Sequence, residues 1–163
     1  MLIRILARCK ITKALDYQLI DVLRALSTYS RNCVIGRSWL VSDLDVWSYA
    51  RGYIGPEAIQ EFFPEALTHQ ATTRLAVAGE RLMERSALIH QFESGLFLRM
   101  IDSTAPLNLL PERRLIYGPS HFQATNVDIE IRCDEASPYE IVSFDEQLIS
   151  CLQDIFNETE LEE

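Results

Sequence analysis

The sequence predicts an α+β fold in which one mostly antiparallel sheet packs against several helices, including one long central helix that is straight or bent. Apolar and polar residues alternate over residues 2–11 and again over residues 127–133, and this two-residue period is typical of half-buried strands. Apolar residues recur every three to four positions over residues 14–30, as they do along one face of a helix. The same spacing over residues 64–101 predicts the long helix.

The long helix is the predicted element around which the others are arranged. At 1.5 Å per residue it would be roughly 55 Å long, which exceeds the width of a domain of this size. We therefore expect a bend or a break at Gly79 or Gly95, and a helix of this length would also suit a homodimer interface. Its apolar stripe consists of Leu67, Ala71, Leu75, Ala78, Leu82, Ile89, Phe92, Leu96 and Met100.

Short elements are predicted between the first helix and the long one. Two apolar runs within residues 33–41, separated by Gly36, indicate a hairpin or one bulged strand. Ser42 is predicted to cap a helix over residues 43–50, because its hydroxyl can accept a backbone hydrogen bond at a helix start. A proline suits the first position of a further short helix over residues 56–63.

The last part of the chain predicts a hairpin followed by a helix. The strand over residues 127–133 is expected to turn back into a second strand over residues 139–142. Ser143 and Glu146 have the spacing of a capping box at the start of the final helix. Because the outer face of residues 2–11 is basic and that of residues 127–133 is largely acidic, these two strands are predicted to be neighbours.

Composition indicates a single α+β domain over residues 1–156, followed by an acidic tail over residues 157–163. The 163 residues are 48% hydrophobic and 24% charged, as in average globular proteins. No apolar run approaches the roughly 18 residues of a membrane span, so no membrane partner is predicted. The net charge of −9 makes nucleic acid an unfavourable partner, because phosphate binding needs a basic surface. The four cysteines follow no zinc-site spacing, which predicts reduced thiols, a cytoplasmic location and no metal site.

One short string suggests catalytic chemistry. The apolar run Trp39-Leu40-Val41 is followed by Ser-Asp-Leu-Asp, and this strand with a D-x-D motif resembles the first motif of haloacid-dehalogenase-type phosphohydrolases. The resemblance implies that Asp43 attacks phosphorus, that Asp45 is the general acid/base, and that both bind Mg²⁺. Val46 and Trp47 stand where members of that family usually have Gly-Thr. The structural alternative is that these residues only begin a helix.

The predicted binding surface lies among the aromatic residues that crowd positions 39–63. It consists of Trp47, Tyr49, Arg51 and Tyr53. Trp, Tyr and Arg are enriched at the energetic hot spots of protein interfaces.

We therefore predict a non-enzymatic acidic module that uses no cofactor and binds another protein as an adaptor, regulator or inhibitor. Two alternatives stay open. The first is an Mg²⁺-dependent phosphohydrolase that uses Asp43 and Asp45. The second is a small-ligand sensor with a pocket between the sheet and the long helix.

Overall fold

A computed structural model describes residues 6–11, 17–69, 71–101, 127–134 and 138–156. The predicted acidic tail over residues 157–163 lies outside these ranges. In chain order the elements are β1 (Ala7–Ile11), α1 (Leu19–Tyr29), β2 (Ser38–Ser48), β3 (Gly52–Ile54), a 3₁₀ turn (Pro56–Ala58), α2 (Ile59–Phe62), β4 (Leu67–His69), β5 (Ala71–Ala78), α3 (Gly79–Ser86), β6 (Ile89–Met100), β7 (Val127–Cys133), β8 (Tyr139–Ser143) and α4 (Glu146–Ile155). Within the described part of the chain, no helix is both long and apolar enough to cross a membrane.

All eight described strands belong to one antiparallel sheet. Seven follow the order β1-β8-β7-β6-β2-β5-β4, and β3 pairs with the end of β2. The described elements form one antiparallel sheet packed with short helices, so the predicted α+β fold with one long central helix is wrong. The hairpin between β7 and β8 is confirmed, with Ile131 opposite Ile141.

The predicted long helix does not exist. Residues 64–101 form β4, β5, the eight-residue helix α3 and β6 instead. Leu96 and Leu98 belong to a small cluster on one side of β6, whereas Phe97 belongs to the main core on the other, and all three are fully buried. A strand buried on both faces loses its two-residue period, so its apolar residues also fit a helical spacing. The homodimer interface predicted along that helix has no counterpart among the described elements.

The helix predicted over residues 43–50 is also wrong, because β2 runs without interruption from Ser38 to Ser48. A β-bulge places Asp43 and Leu44 opposite the single residue Gly95, since the register steps from Ser42↔Leu96 to Asp45↔Ser94. The residues that face the main core are Trp39 and Val41 before the bulge, and Leu44 and Val46 after it. This break in the alternation concealed the strand, and the capping residue type of Ser42 then favoured a helix.

Helices α1 and α4 cover one side of the sheet. The helix predicted over residues 14–30 is confirmed as α1, which buries Leu19, Val22, Leu23 and Leu26. Helix α4 adds Leu148, Ile149 and Leu152 to the same core. The predicted capping box at its start is wrong, because the N-cap is Asp145, whose Oδ1 accepts hydrogen bonds from the backbone N–H groups of Gln147 and Leu148. The Ser143 hydroxyl accepts one from the Asp145 N–H instead.

Strand β1 pairs with β8, which separates it from β7. The predicted neighbour relation between the basic and the acidic strand is therefore wrong. The expected charge pairing exists on the other partner, since Arg8 Nη1 lies 2.9 Å from Glu140 Oε1. A hairpin fixes only that β7 and β8 are neighbours. It does not determine which of the two strands pairs with β1.

Candidate functional site

The β2–β3 hairpin projects the predicted binding residues from the sheet. Ser48 pairs with Gly52 at its end, and Gly52 has the positive φ of 70° that a tight turn needs. The Ser48 hydroxyl donates to the Gly52 carbonyl at 3.2 Å and accepts from the Arg51 N–H at 3.0 Å. These bonds within the turn fix the shape of the hairpin tip.

Trp47 and Tyr53 form a cross-strand pair on this hairpin. They are directly opposite in the register, and their ring centroids are 5.3 Å apart, a separation typical of favourable aromatic contact. Trp47 is 44% exposed and Tyr53 is 53% exposed. The pair therefore orders two rings while leaving about half of each in solvent.

A third ring extends this surface toward the turn between α3 and β6. Tyr49 is 71% exposed, its ring centroid lies 5.0 Å from that of His90, and its backbone N–H donates to the Leu88 carbonyl at 3.1 Å. Leu88 is itself exposed. We call Trp47, Tyr49, Tyr53, Leu88 and His90 the aromatic surface. It holds four of the seven large hydrophobic side chains that are exposed among the described residues.

Arg51, the fourth residue of the predicted binding surface, makes a hydrogen bond within the protein. Its Nη1 donates to the Glu61 carbonyl at 3.0 Å, which ties the hairpin tip to α2. The side chain thus supports the position of the aromatic surface. Sequence reasoning missed Leu88 and His90, because they join the hairpin only through the pairing of β2 with β6, with Ser48 opposite Ile89.

Asp43 lies in the β2 bulge and Asp45 follows it, inside a strand that continues three residues further. Asp43 is buried, has a φ of 56°, and accepts a hydrogen bond from the Ser42 hydroxyl at 3.1 Å. Asp45 is half-buried, and its Oδ1 has no hydrogen-bond partner. In the parts of the chain that the structure describes, no group of three or more His, Cys, Asp or Glu side chains is placed to hold a metal ion.

A polar cleft of about 510 Å³ lies between the end of α1 and the start of α4. At its base, Arg99 binds Asp128 through two bonds, from Nε to Oδ1 at 2.7 Å and from Nη2 to Oδ2 at 2.8 Å. Arg99 Nη1 donates to the Cys33 carbonyl at 2.9 Å, and Arg37 Nη2 reaches Asp128 Oδ2 at 3.3 Å. The N–H groups of the Arg99 guanidinium thus donate to other groups of the protein. They connect the loop after α1 to β6 and β7.

The electrostatics of this cleft follow from burial and from Asp128. Burial alone would lower the pKa of Arg99, but the hydrogen bonds and negative charge of Asp128 outweigh it, so the pKa is raised. Burial raises the pKa of the Cys33 thiol, with the charge of Arg99 acting in the opposite direction. A thiol held protonated is a poor nucleophile, so this cluster is best explained as a structural connection.

The described thiols Cys9, Cys33, Cys133 and Cys151 are all free. Of the histidines, His90 lies on the aromatic surface and His121 lies outside the described residues. The chain matches no protein-family model, no curated protein and no solved structure.

Proposed function

We propose that this protein binds another protein, as an adaptor, regulator or inhibitor, and that the aromatic surface is its contact site. The observation that supports this is the clustering of Trp47, Tyr49, Tyr53 and Leu88 at one hairpin and the adjoining turn. Single exposed apolar side chains are ordinary on protein surfaces, whereas a contiguous apolar patch is typical of an interaction site.

The rigidity of the hairpin supports the proposal as well. The Ser48 hydroxyl bonds and the bond from Arg51 to the Glu61 carbonyl hold the tip before any partner arrives. Binding then costs less ordering entropy than it would with a mobile loop. Half-exposed Trp and Tyr rings on such a base resemble the anchors that carry most of the energy at protein interfaces.

The partner should offer an apolar cleft that receives the rings of Trp47 and Tyr53. A cytoplasmic location is part of the proposal, and the four free thiols support a reducing compartment. The Tyr hydroxyls can donate to polar groups at the rim of such a cleft, since Tyr combines an apolar body with a polar tip.

Affinity capture followed by reconstitution tests this function. Tagged wild type is compared with the double variant Trp47→Ala/Tyr53→Ala and with the control Ile35→Ala/Ile155→Ala, which removes two other exposed apolar side chains. One captured protein is then purified and titrated calorimetrically. We expect the aromatic variant to bind at least about 30-fold more weakly, since hot-spot truncations cost roughly 2 kcal/mol or more, and the control to bind like wild type. Equal binding by all three proteins would refute the proposal.

The Mg²⁺-dependent phosphohydrolase stays an alternative with its own test. The observation that favours it is the Asp45 Oδ1 atom, which is buried without a hydrogen-bond partner and is a ligand type that Mg²⁺ prefers. Hydrolysis of p-nitrophenyl phosphate with added Mg²⁺ is compared between wild type and Asp43→Asn/Asp45→Asn. Activity that disappears in the variant would establish the enzyme, and equal rates in both would remove it.

A further inference from the structure

A second cavity, of about 290 Å³, lies beside the last residues of β5. The aromatic surface lies at the opposite end of β2, where β3 pairs. Strand β4 covers the edge of β5 only as far as Leu67, which pairs with Ala76. The chain over residues 63–66 then leaves this edge, and α3 begins at Gly79. Val77 and Ala78 therefore have no β4 partner in the register, and a space opens between this edge, residues 63–66 and α3.

The walls of this cavity are apolar. Three alanines line it, Ala66, Ala76 and Ala78, together with Phe63 and Pro64. Phe63 and Ala66 belong to the main-core side of the sheet and Ala76 to the small cluster on the other side, so the cavity lies across the edge of β5. Such walls favour an apolar body over a hydrated polar one.

The charges lie at the rim. Arg81 is neutralised, because its Nε lies 2.9 Å from Glu65 Oε2 and its Nη1 lies 2.9 Å from Glu84 Oε2. Arg85 also lines the cavity and is half-buried, and its guanidinium makes no hydrogen bond or ion pair with any described residue. The two arginines and the two glutamates of this rim balance in charge, and Arg85 is the arginine among them whose guanidinium has no ion-pair partner among the described residues.

We propose that this cavity binds a compact amphipathic carboxylate, with the apolar body among the alanines and Phe63 and the carboxylate on the Arg85 guanidinium. A planar guanidinium can hold a carboxylate through two parallel, charge-assisted hydrogen bonds. The volume of about 290 Å³ lies just below the usual range for ligand cavities, about 300–1,000 Å³. A small aromatic or branched aliphatic acid fits this size better than a nucleotide or a long-chain fatty acid.

Titration of the whole protein with benzoate, followed by amide chemical shifts in NMR spectra, tests this site. Benzamide is the matched neutral probe. We expect saturable shifts confined to residues 63–66, the end of β5 and α3, and binding of benzamide at least about tenfold weaker, because the charge-assisted bonds are lost. No saturable shift, equal affinity for both probes, or shifts centred elsewhere would overturn the proposal.

Two variants and a control identify the parts of the site. Arg85→Gln should weaken benzoate about tenfold or more and leave benzamide unchanged, whereas Arg24→Gln removes an exposed arginine from α1 and should change neither. Ala78→Leu should fill the cavity and abolish binding of both probes. Unchanged benzoate affinity in Arg85→Gln, or an equal loss in Arg24→Gln, would overturn the proposal. Because none of these substitutions touches the aromatic surface, capture of a protein partner should be unaffected.

Discussion

Strand β2 carries both tryptophans of the protein, and their surroundings are opposite. Trp39 is completely buried, and its indole N–H donates to the Val34 carbonyl at 3.3 Å. Trp47, eight residues later, is 44% exposed and packs against Tyr53. One ring stabilises the core, and the other is available to a partner.

The difference does not come from the number of strands beside each ring. Trp39 lies between Val77 of β5 and Arg99 of β6, and Trp47 lies equally between Tyr53 of β3 and Gln91 of β6. What differs is the face of the sheet on which each ring lies, since Trp39 belongs to the core that α1, α3 and α4 help to form and Trp47 does not. The comparison teaches that a central position in a sheet does not by itself bury a ring.

Trp39→Ala should cause the largest loss of stability. A large buried aromatic ring replaced by alanine leaves a cavity and costs about 3–5 kcal/mol. Urea unfolding followed by circular dichroism measures it. Trp39→Phe keeps most of the bulk but leaves the Val34 carbonyl without its indole donor, so its loss should be smaller. A loss in Trp39→Ala no larger than that in Trp47→Ala would contradict the assigned roles.

Gly79→Ala should be next in size. A methyl group at Gly79 would clash with the Val34 carbonyl oxygen, the same atom that Trp39 binds, and the Gly79 N–H donates to the Arg37 carbonyl at 2.7 Å. Because the obstacle is backbone, we expect a loss of about 3 kcal/mol, measured by urea unfolding.

The matched control for that variant is Gly36→Ala. Gly36 has a φ of 79° and open space around it, so alanine there adds only backbone strain, about 1 kcal/mol. Equal losses for the two variants would show that the close approach at Gly79 is not what requires glycine.

Alkaline pH should lower the free energy of unfolding through the main core, which contains Cys9, and not through Trp47 and Tyr53. Burial raises the pKa of the Cys9 thiol from 9.0 to about 11. Below pH 9 the thiol is protonated in both states, and between pH 9 and 11 only the unfolded chain loses the proton. The free energy of unfolding should therefore fall over this window, by at most about 1.4 kcal/mol per pH unit from this group. Burial also raises the pKa of Tyr139, which acts in the same direction.

Urea unfolding of wild type and Cys9→Ala across this pH window measures the effect. The variant should be less stable at neutral pH because of its small cavity, but its stability should fall less steeply. Parallel curves for the two proteins would mean that the Cys9 thiol is not protected from ionisation.

Trp47→Ala should have the smallest effect on stability, within about 0.5 kcal/mol, as for surface substitutions generally. Iodide quenching of tryptophan fluorescence sharpens the contrast, because each ring can be observed alone in Trp39→Phe and Trp47→Phe. The Trp47 signal should be quenched and the Trp39 signal protected. Partner binding should protect Trp47 as well, and quenching of both rings to the same extent would contradict the comparison.

The sequence predicted helix α1 and strand β7 because their residue types have a clean period. One side of α1 meets the core and the other carries polar side chains. In β7 the apolar residues alternate with Asp128, Glu130 and Arg132, and this alternation persists although Glu130 is buried. The prediction failed for β6 and for the second half of β2. In β6, Phe97 and Leu98 are buried on opposite faces, and no single period describes such a run.

The residues of the candidate sites also differ in whether the sequence could predict them. Trp47 and Tyr53 lie six residues apart in one hairpin, so a local cluster of rings was sufficient to find them. Leu88, His90 and the salt bridge from Arg99 to Asp128 depend on pairing between distant strands. No local pattern encodes such pairings, which only the assembled sheet determines.

The bulge at Asp43 and Leu44 changes the parity of the strand. Trp39 and Trp47 both occupy odd positions, so a strand of unbroken alternation would place both rings on the same face. The extra residue inverts that assignment halfway along, so that Val46 meets the core and Trp47 turns away from it. Deleting one bulge residue would restore a single parity and exchange Val46 with Trp47. The aromatic surface therefore depends on the one extra residue in the β2 bulge, which reverses the faces of the β2 residues after it.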